Sequence, residues 1–212
     1  MRCPVCANLN SRPYCQDDKR PYYQCRRCAL IFVPDSHYLC AQDEKAQYDL
    51  HQNDPQDLAY RKFLSQLFDP LTRKVPPPAT GLDYGSGPGP TLSVMLEEAG
   101  YDMQIYDVFF APAPLVLEGR YDFISCTEVV EHLHHPGRVL TELFASLRPG
   151  GWLGIMTRLT TSRSAFIKGH YRVDPTHVCF FSRASFDYLA KQLGAGLEII
   201  GDQVILLHKA QA

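Results

Sequence analysis

No apolar run in this sequence approaches the roughly 20 residues that a membrane-spanning helix needs, so no membrane partner is expected. The first residues lack an apolar stretch of the secretory type, which points to a cytoplasmic location. Charge of one sign is missing too. Against 23 Asp and Glu stand 21 Lys and Arg, for a formal net charge of −2. That balance leaves no global footprint for nucleic acid or an anionic membrane surface. No segment repeats itself, which excludes a solenoid or propeller. What is present is an ordinary globular composition. Hydrophobic residues make up 45% of 212, enough for one domain with a small addition.

Cysteine is the exception to this ordinariness. Of eight cysteines, Cys3, Cys6, Cys15, Cys25, Cys28 and Cys40 crowd into the first 40 residues, leaving Cys126 and Cys179 beyond. Cys3-Pro4-Val5-Cys6 and Cys25-Arg26-Arg27-Cys28 are two C-x2-C knuckles separated by eighteen residues, a spacing typical of structural zinc sites. Two thiolates on one tight turn grip one face of an ion, and two such turns complete a tetrahedron. So short a segment cannot bury enough surface to fold alone, and a metal supplies the missing stability. The alternative, a pair of disulfides, conflicts with a reducing compartment. A zinc ribbon over residues 1–40 is therefore expected, with Cys3, Cys6, Cys25 and Cys28 as ligands, strands at 20–24 and 29–33, and Cys15 and Cys40 as bystanders. The ribbon is locally basic, holding Arg2, Arg12, Lys19, Arg20, Arg26 and Arg27. Two readings stay open: a solvated face, or a grip for RNA or another anion.

Residues 41–79 read as a helical connector. Asp54 and Pro55 suit a helix start, and Tyr60, Phe63, Leu64, Leu67 and Phe68 recur at helical spacing, predicting a helix over 54–68. The run Tyr48-Asp49-Leu50-His51-Gln52-Asn53 suits a site mouth or a plain helix surface. The stretch 74–80, with three consecutive prolines, breaks regular structure.

From residue 80 to 212, strands and helices alternate. Strands are expected at 81–84, 103–107, 121–126 and 152–157. Helices follow Gly89, open at Pro136, and run from Ser182 to Leu193. An antiparallel pair at 197–200 and 204–208 closes the chain. This pattern predicts an α/β fold, a mainly parallel sheet with helices on both faces and an antiparallel last strand.

Gly85-Ser86-Gly87-Pro88-Gly89-Pro90 joins the first of these strands to its helix. Such a turn lets a ligand approach the backbone near free helix N–H groups. Three details separate it from a dinucleotide loop. Asp83 places a carboxylate at the strand end, which suits a cationic ligand better than a pyrophosphate. Pro90 replaces a third glycine. Asp107 ends the next strand, 22 residues after Gly85, where an acid accepts ribose hydroxyls. Its plainer reading is an acid at a loop start.

Leu82-Asp83-Tyr84-Gly85-Ser86-Gly87-Pro88-Gly89 resembles motif I of class I S-adenosylmethionine (SAM)-dependent methyltransferases. The run from Tyr121 through Thr127-Glu128-Val129-Val130-Glu131-His132-Leu133 resembles their fourth strand and following loop. Leu147-Arg148-Pro149-Gly150-Gly151-Trp152-Leu153 resembles the turn before their fifth strand. Asp174-Pro175-Thr176-His177-Val178 is similar to a segment found in a subgroup of small bacterial members. The resemblance implies a Rossmann-like methyltransferase sheet. It also implies that Asp83, Gly85, Ser86 and Gly87 hold the methionine part of SAM, that Asp107 binds the ribose, and that Thr127 and Glu128 line the pocket near the methyl donor. Only about a dozen residues separate Asp107 from Tyr121, so the usual third strand and its adenine-contacting acid are abbreviated. Phe109 and Phe110 would cover the adenine instead.

Methyl transfer from a sulfonium needs a positioned acceptor and, for some acceptors, a base. Glu131, His132, His170 and His177 are the candidates, with Glu131, His132 and His177 favoured; their plainer readings are helix-start and loop hydrogen-bonding residues. The Asn/Asp-Pro-Pro-Tyr/Phe signature of exocyclic base methylation is absent, and Cys126 lacks the Pro-Cys setting that attacks cytosine. The leading expectation is an enzyme methylating a small metabolite or biosynthetic intermediate. An RNA methyltransferase gripping RNA through the ribbon is the second. A catalytically silent protein binding SAM or acting through its zinc module is the third.

Overall fold

The computed structural model describes residues 1–50 and 53–211; His51 and Gln52, from the predicted site-mouth run, lie outside the described residues. In chain order the elements are β1 (Ser11–Gln16), β2 (Pro21–Cys25), β3 (Ile31–Phe32), α1 (Ala41–Tyr48), α2 (Leu58–Lys74), β4 (Thr80–Tyr84), α3 (Thr91–Glu98), β5 (Asp102–Tyr106), β6 (Tyr121–Thr127), α4 (Pro136–Ser146), β7 (Leu147–Met156), α5 (Arg163–Lys168), β8 (Cys179–Phe180), α6 (Arg183–Leu193), β9 (Gly196–Ile200) and β10 (Val204–His208). None of the described helices is long and apolar enough to cross a membrane.

Six strands form the main sheet in the order β5-β4-β6-β7-β10-β9. The first four are parallel, and β10 runs antiparallel to both β7 and β9. This is the predicted α/β sheet. Its two faces follow from strand alternation. On β10, Val204 and Leu206 join α2 and α3 through Leu64, Leu67, Leu92 and Leu96, while Ile205 and Leu207 join the opposite face with Leu140, Leu143 and Phe186 of α4 and α6. The sheet ends at β5. Residues 107–120 contribute only a short 3-10 helix at Pro114–Glu118 and an isolated bridge, so the third strand of the family pattern is replaced by a loop.

Three element boundaries depart from the sequence reading: β7 begins at Leu147 instead of Trp152, and both ends of α2 move. Asp54 does not cap α2, because its carboxylate turns back on Gln56 N–H; Asp57 caps instead, accepting from Ala59 and Tyr60. At the other end the helix runs past Phe68 to Lys74, because Leu67, Pro70 and Leu71 prolong its buried stripe.

The ribbon is sewn into this architecture. β1, β2 and β3 form an antiparallel sheet whose fourth strand is β8, with Ile31 opposite Phe180 and Phe32 opposite Cys179. The first knuckle sits on the start of α4, where a Cβ on Gly137 would meet Val5 O at 2.0 Å. Tyr22, Leu30 and Ile31 share one continuous core with Leu82, Leu140 and Phe180. Arg20, counted in the basic face, is buried. Its guanidinium donates to the carbonyls of Arg172, Asp174 and Pro175 at 2.8, 2.6 and 3.0 Å, and Arg172 in turn pairs with Asp17. That guanidinium is committed to backbone and is not presented to a phosphate.

Candidate active site

The glycine loop is shaped by left-handed backbone. Gly85 and Gly87 have φ of +78° and +65°, and a Cβ on Gly85 would strike Val129 at 2.3 Å. Gly89 allows a different approach: a Cβ there would lie 1.8 Å from Asn53 O, so the chain ahead of α2 crosses directly over the loop. Asp107 ties the loop down. One carboxylate oxygen accepts Gly87 N–H at 3.0 Å, the other accepts Phe109 and Phe110 N–H at 2.8 and 3.1 Å. Asp83 is buried beneath, accepting Ser125 Oγ at 2.6 Å, and burial pushes its carboxyl up to about 6.

Above these residues opens a cavity of about 670 Å³, within the range of about 300–1,000 Å³ usual for ligand pockets. Gly85, Ser86, Gly87, Asp107, Phe109, Thr127 and Glu128 all line it, as do His132 and His177. Ser86 Oγ and Thr127 Oγ1 are buried there without a hydrogen-bond partner among the described residues. Two orphaned hydroxyls at one cavity are what a polar ligand would satisfy. Glu128 holds φ +53°, an uncommon conformation for a side-chain-bearing residue, fixed by its N–H to Met156 O at 2.8 Å. Burial, reinforced by the Glu131 charge and opposed by Arg158, pushes its carboxyl up to about 8.

A second part of the cavity wall is built on a network. Glu131 is fully buried and lies behind the cavity lining rather than in it. Its carboxylate accepts Tyr171 OH at 2.6 Å and Thr157 Oγ1 at 2.9 Å, and its carbonyl accepts the N–H groups of Val178 and Cys179. Burial raises its carboxyl above the ordinary value, with His177 opposing. His177 Nδ1 donates to Tyr171 O at 2.6 Å, which leaves Nε2 with the lone pair in the neutral ring. The His132 ring meets the His177 ring edge-on with centroids 4.6 Å apart. Hydrogen bonds from Thr176 outweigh burial at Asp174 and hold its carboxyl below the ordinary value. His170 is exposed and outside the lining.

Sequence reasoning missed Tyr171 and Asp174 as lining residues, along with the lid from the connector. Glu44, Tyr48, Tyr60 and Phe63 all reach the cavity, and Tyr48 sits edge-on to His132 and against Phe109. The only forewarning was the aromatic-polar run beginning at Tyr48.

At the other pole, the Sγ atoms of Cys3, Cys6, Cys25 and Cys28 all lie within 4.8 Å of one another. Cys3–Cys28 and Cys6–Cys25 are each 3.5 Å apart, far beyond a disulfide bond and close to the about 3.8 Å edge of a zinc–thiolate tetrahedron. Each knuckle closes alike, with Ala7 and Ala29 at φ 55° and 58° donating to Cys3 O and Cys25 O.

This combination of sheet order, glycine loop and covering cavity defines a class I methyltransferase fold. Residues 33–200 match the family described as Methyltransferase domain, and the chain belongs to that family. The ubiquinone biosynthesis O-methyltransferase of Aeromonas salmonicida is 30% identical over 78 residues, 37% of this chain and 33% of that protein, so the chain spans about a third of that relative's length. Two solved structures from Burkholderia thailandensis share the fold. An O-methyltransferase family protein matches with TM-score 0.55 and 14% identity, over 80% of this chain and 63% of its own. The 1,6-didemethyltoxoflavin-N1-methyltransferase, solved with bound 1,6-didemethyltoxoflavin and S-adenosylhomocysteine, matches with TM-score 0.52 and 18% identity, over 94% of this chain and 100% of its own.

Proposed function

We propose that this chain is a SAM-dependent methyltransferase acting on a small molecule that loses a proton from oxygen or nitrogen as it is methylated. One observation carries the reading: a single cavity is lined both by the glycine loop with Asp107 and by Glu128, His132 and His177. The residues fit the donor. Asp83 supplies negative charge for its ammonium, Asp107 and the orphaned Ser86 and Thr127 hydroxyls offer polar partners, and Phe109 and Phe110 flank the Asp107 side. Bound there, SAM supplies an electrophilic methyl group. His177 Nε2 or the Glu128 carboxylate would take the acceptor's proton as the acceptor's lone pair receives that methyl group. Glu131 acts from behind by fixing Tyr171. The aromatic lid of Tyr48, Tyr60 and Phe63 favours a flat acceptor and excludes water.

The four-cysteine cluster is read as a closed structural zinc site, since it offers four sulfurs and no open position. Its role is to hold β3, which holds β8 and thereby the segment carrying His177.

The test uses methyl-labelled SAM and a cell extract separated into metabolite, protein and RNA fractions. Label in the metabolite fraction is the expected result. Label confined to RNA or protein would overturn the acceptor class, and no transfer together with no SAM binding would overturn the reading itself.

A further inference from the structure

A second metal-competent cluster lies on the acceptor side of the cavity. One donor atom each from Glu131, His132 and His177 comes within 4.8 Å of the others. We propose that these three residues form a binding site for a divalent transition-metal ion of the Mn²⁺, Fe²⁺, Co²⁺ or Zn²⁺ class.

Two imidazoles and one carboxylate are the donor set that such ions take, whereas Mg²⁺ and Ca²⁺ favour oxygen alone. Donors on one ion at about 2.1 Å stand about 3–4 Å apart, so small side-chain rotations close the set. The groups behind the donors are those that orient metal ligands. His177 is held by its Nδ1–H on the Tyr171 carbonyl, which presents Nε2 with its lone pair. Glu131 is held by Tyr171 OH and Thr157 Oγ1, one on each oxygen, and each oxygen keeps a further acceptor site for a cation. A buried carboxylate beside two imidazoles is an expensive arrangement unless a positive charge compensates it. Asp174 adds a second carboxylate, with Oδ2 3.9 Å from His177 Nε2.

The contrast with the cysteine cluster shows what the site is for. Four thiols close a tetrahedron. Here three protein donors leave positions open, and His132 and His177 line the cavity, so the open positions are filled from the cavity. There an ion would take an acceptor hydroxyl and ease its deprotonation near neutrality. It would occupy the His177 lone pair and leave Glu128 to receive the proton. That use rests on the methyltransferase reading; binding of the ion does not.

The test is Mn²⁺ binding to the full chain carrying its cysteine-bound ion, followed by electron paramagnetic resonance. Mn²⁺ disfavours thiolates, so it reports on the nitrogen–oxygen cluster alone. The expected result is one Mn²⁺ per chain, with affinity falling at least about tenfold in His177→Ala and His132→Ala while both variants keep the wild-type melting temperature within a few degrees. No Mn²⁺ binding by the wild type, or equal binding by wild type and both variants, would overturn the proposal. S-adenosylhomocysteine binding is measured on the same samples. Mn²⁺ binding without it would sink the methyltransferase reading and leave the metal site standing, and the reverse result would sink only the metal site.

Discussion

The wall proposed to hold the donor comes from short stretches, Asp83 to Gly89 and Asp107 to Phe110, joined by hydrogen bonds between neighbouring loops. The wall proposed to hold the acceptor comes from segments far apart in the chain. Glu128 to His132 follows β6, Tyr171 to His177 precedes β8, and the ribbon holds the second segment through Arg20, Asp17 and the β3–β8 pairing. The first wall is a local device that any chain with this glycine loop can build. The second depends on a module more than a hundred residues away in sequence, Arg20 reaching Arg172 across 152 positions. On the proposed reading the ribbon braces the acceptor side, and the two walls should fail separately.

The largest expected effect comes from removing the brace. Cys25→Ser with Cys28→Ser, or stripping the ribbon's ion with a strong chelator, should lower the melting temperature by more than about 10 °C, since structural zinc sites contribute on the order of 10 kcal/mol of apparent binding energy. Metal analysis should show the loss of one zinc per chain alongside it. An unchanged melt would make the ribbon an ornament and dissolve the comparison.

Asp107→Ala attacks the opposite wall. It leaves the Gly87, Phe109 and Phe110 N–H groups without their acceptor. S-adenosylhomocysteine affinity should fall about 10- to 100-fold, the range expected for charge-assisted hydrogen bonds. Acceptor KM, measured at saturating SAM, should stay within about threefold if the walls are independent.

Arg20→Met sharpens the contrast. The residue touches neither wall's surface yet donates to three carbonyls behind the acceptor wall. A drop of about tenfold in kcat/KM for the acceptor is expected, with cofactor affinity within about twofold of wild type. Arg20→Lys should recover part of the loss. Equal losses on both sides would mean a general destabilisation instead of a positioned wall.

The smallest effect is a pH dependence confined to the donor side. Burial raises the Asp83 carboxyl to about 6 in the free protein, while pairing with the cofactor's ammonium favours the ionised form. Binding should therefore release a proton below about pH 6. Affinity should rise with pH up to that point, by at most about tenfold per unit, and level off above it. Asp83→Asn should flatten the profile.

Much of the donor wall was legible in the sequence because its information is short-range. The glycine spacing, Asp83 two residues ahead and Asp107 at the next strand's end all sit within one β-α-β unit, where strand and helix periodicity fix relative positions. The clustering of the four cysteines was legible for the same reason, being set by knuckle spacing. Glu131, His132 and His177 stood out as chemical residue types, but their separate roles did not. That Glu131 sits behind the wall while His132 lines it depends on the turn set by Glu128 at φ +53°. Tyr171 carried no local pattern, the patterns around Tyr48, Tyr60, Phe63 and Asp174 did not say which cavity they would reach, and β8 is only two residues long, too short to show periodicity. Arg20 read as one more surface cation, because nothing in residues 17–22 announces three carbonyls waiting at 172–175.

Isothermal titration of the wild-type chain with S-adenosylhomocysteine, beside Asp107→Ala, decides whether the glycine-loop cavity holds the adenosyl cofactor. One site per chain with micromolar affinity is expected, weakened at least about tenfold by the substitution. No binding by the wild type, or the same binding by both proteins, would contradict it.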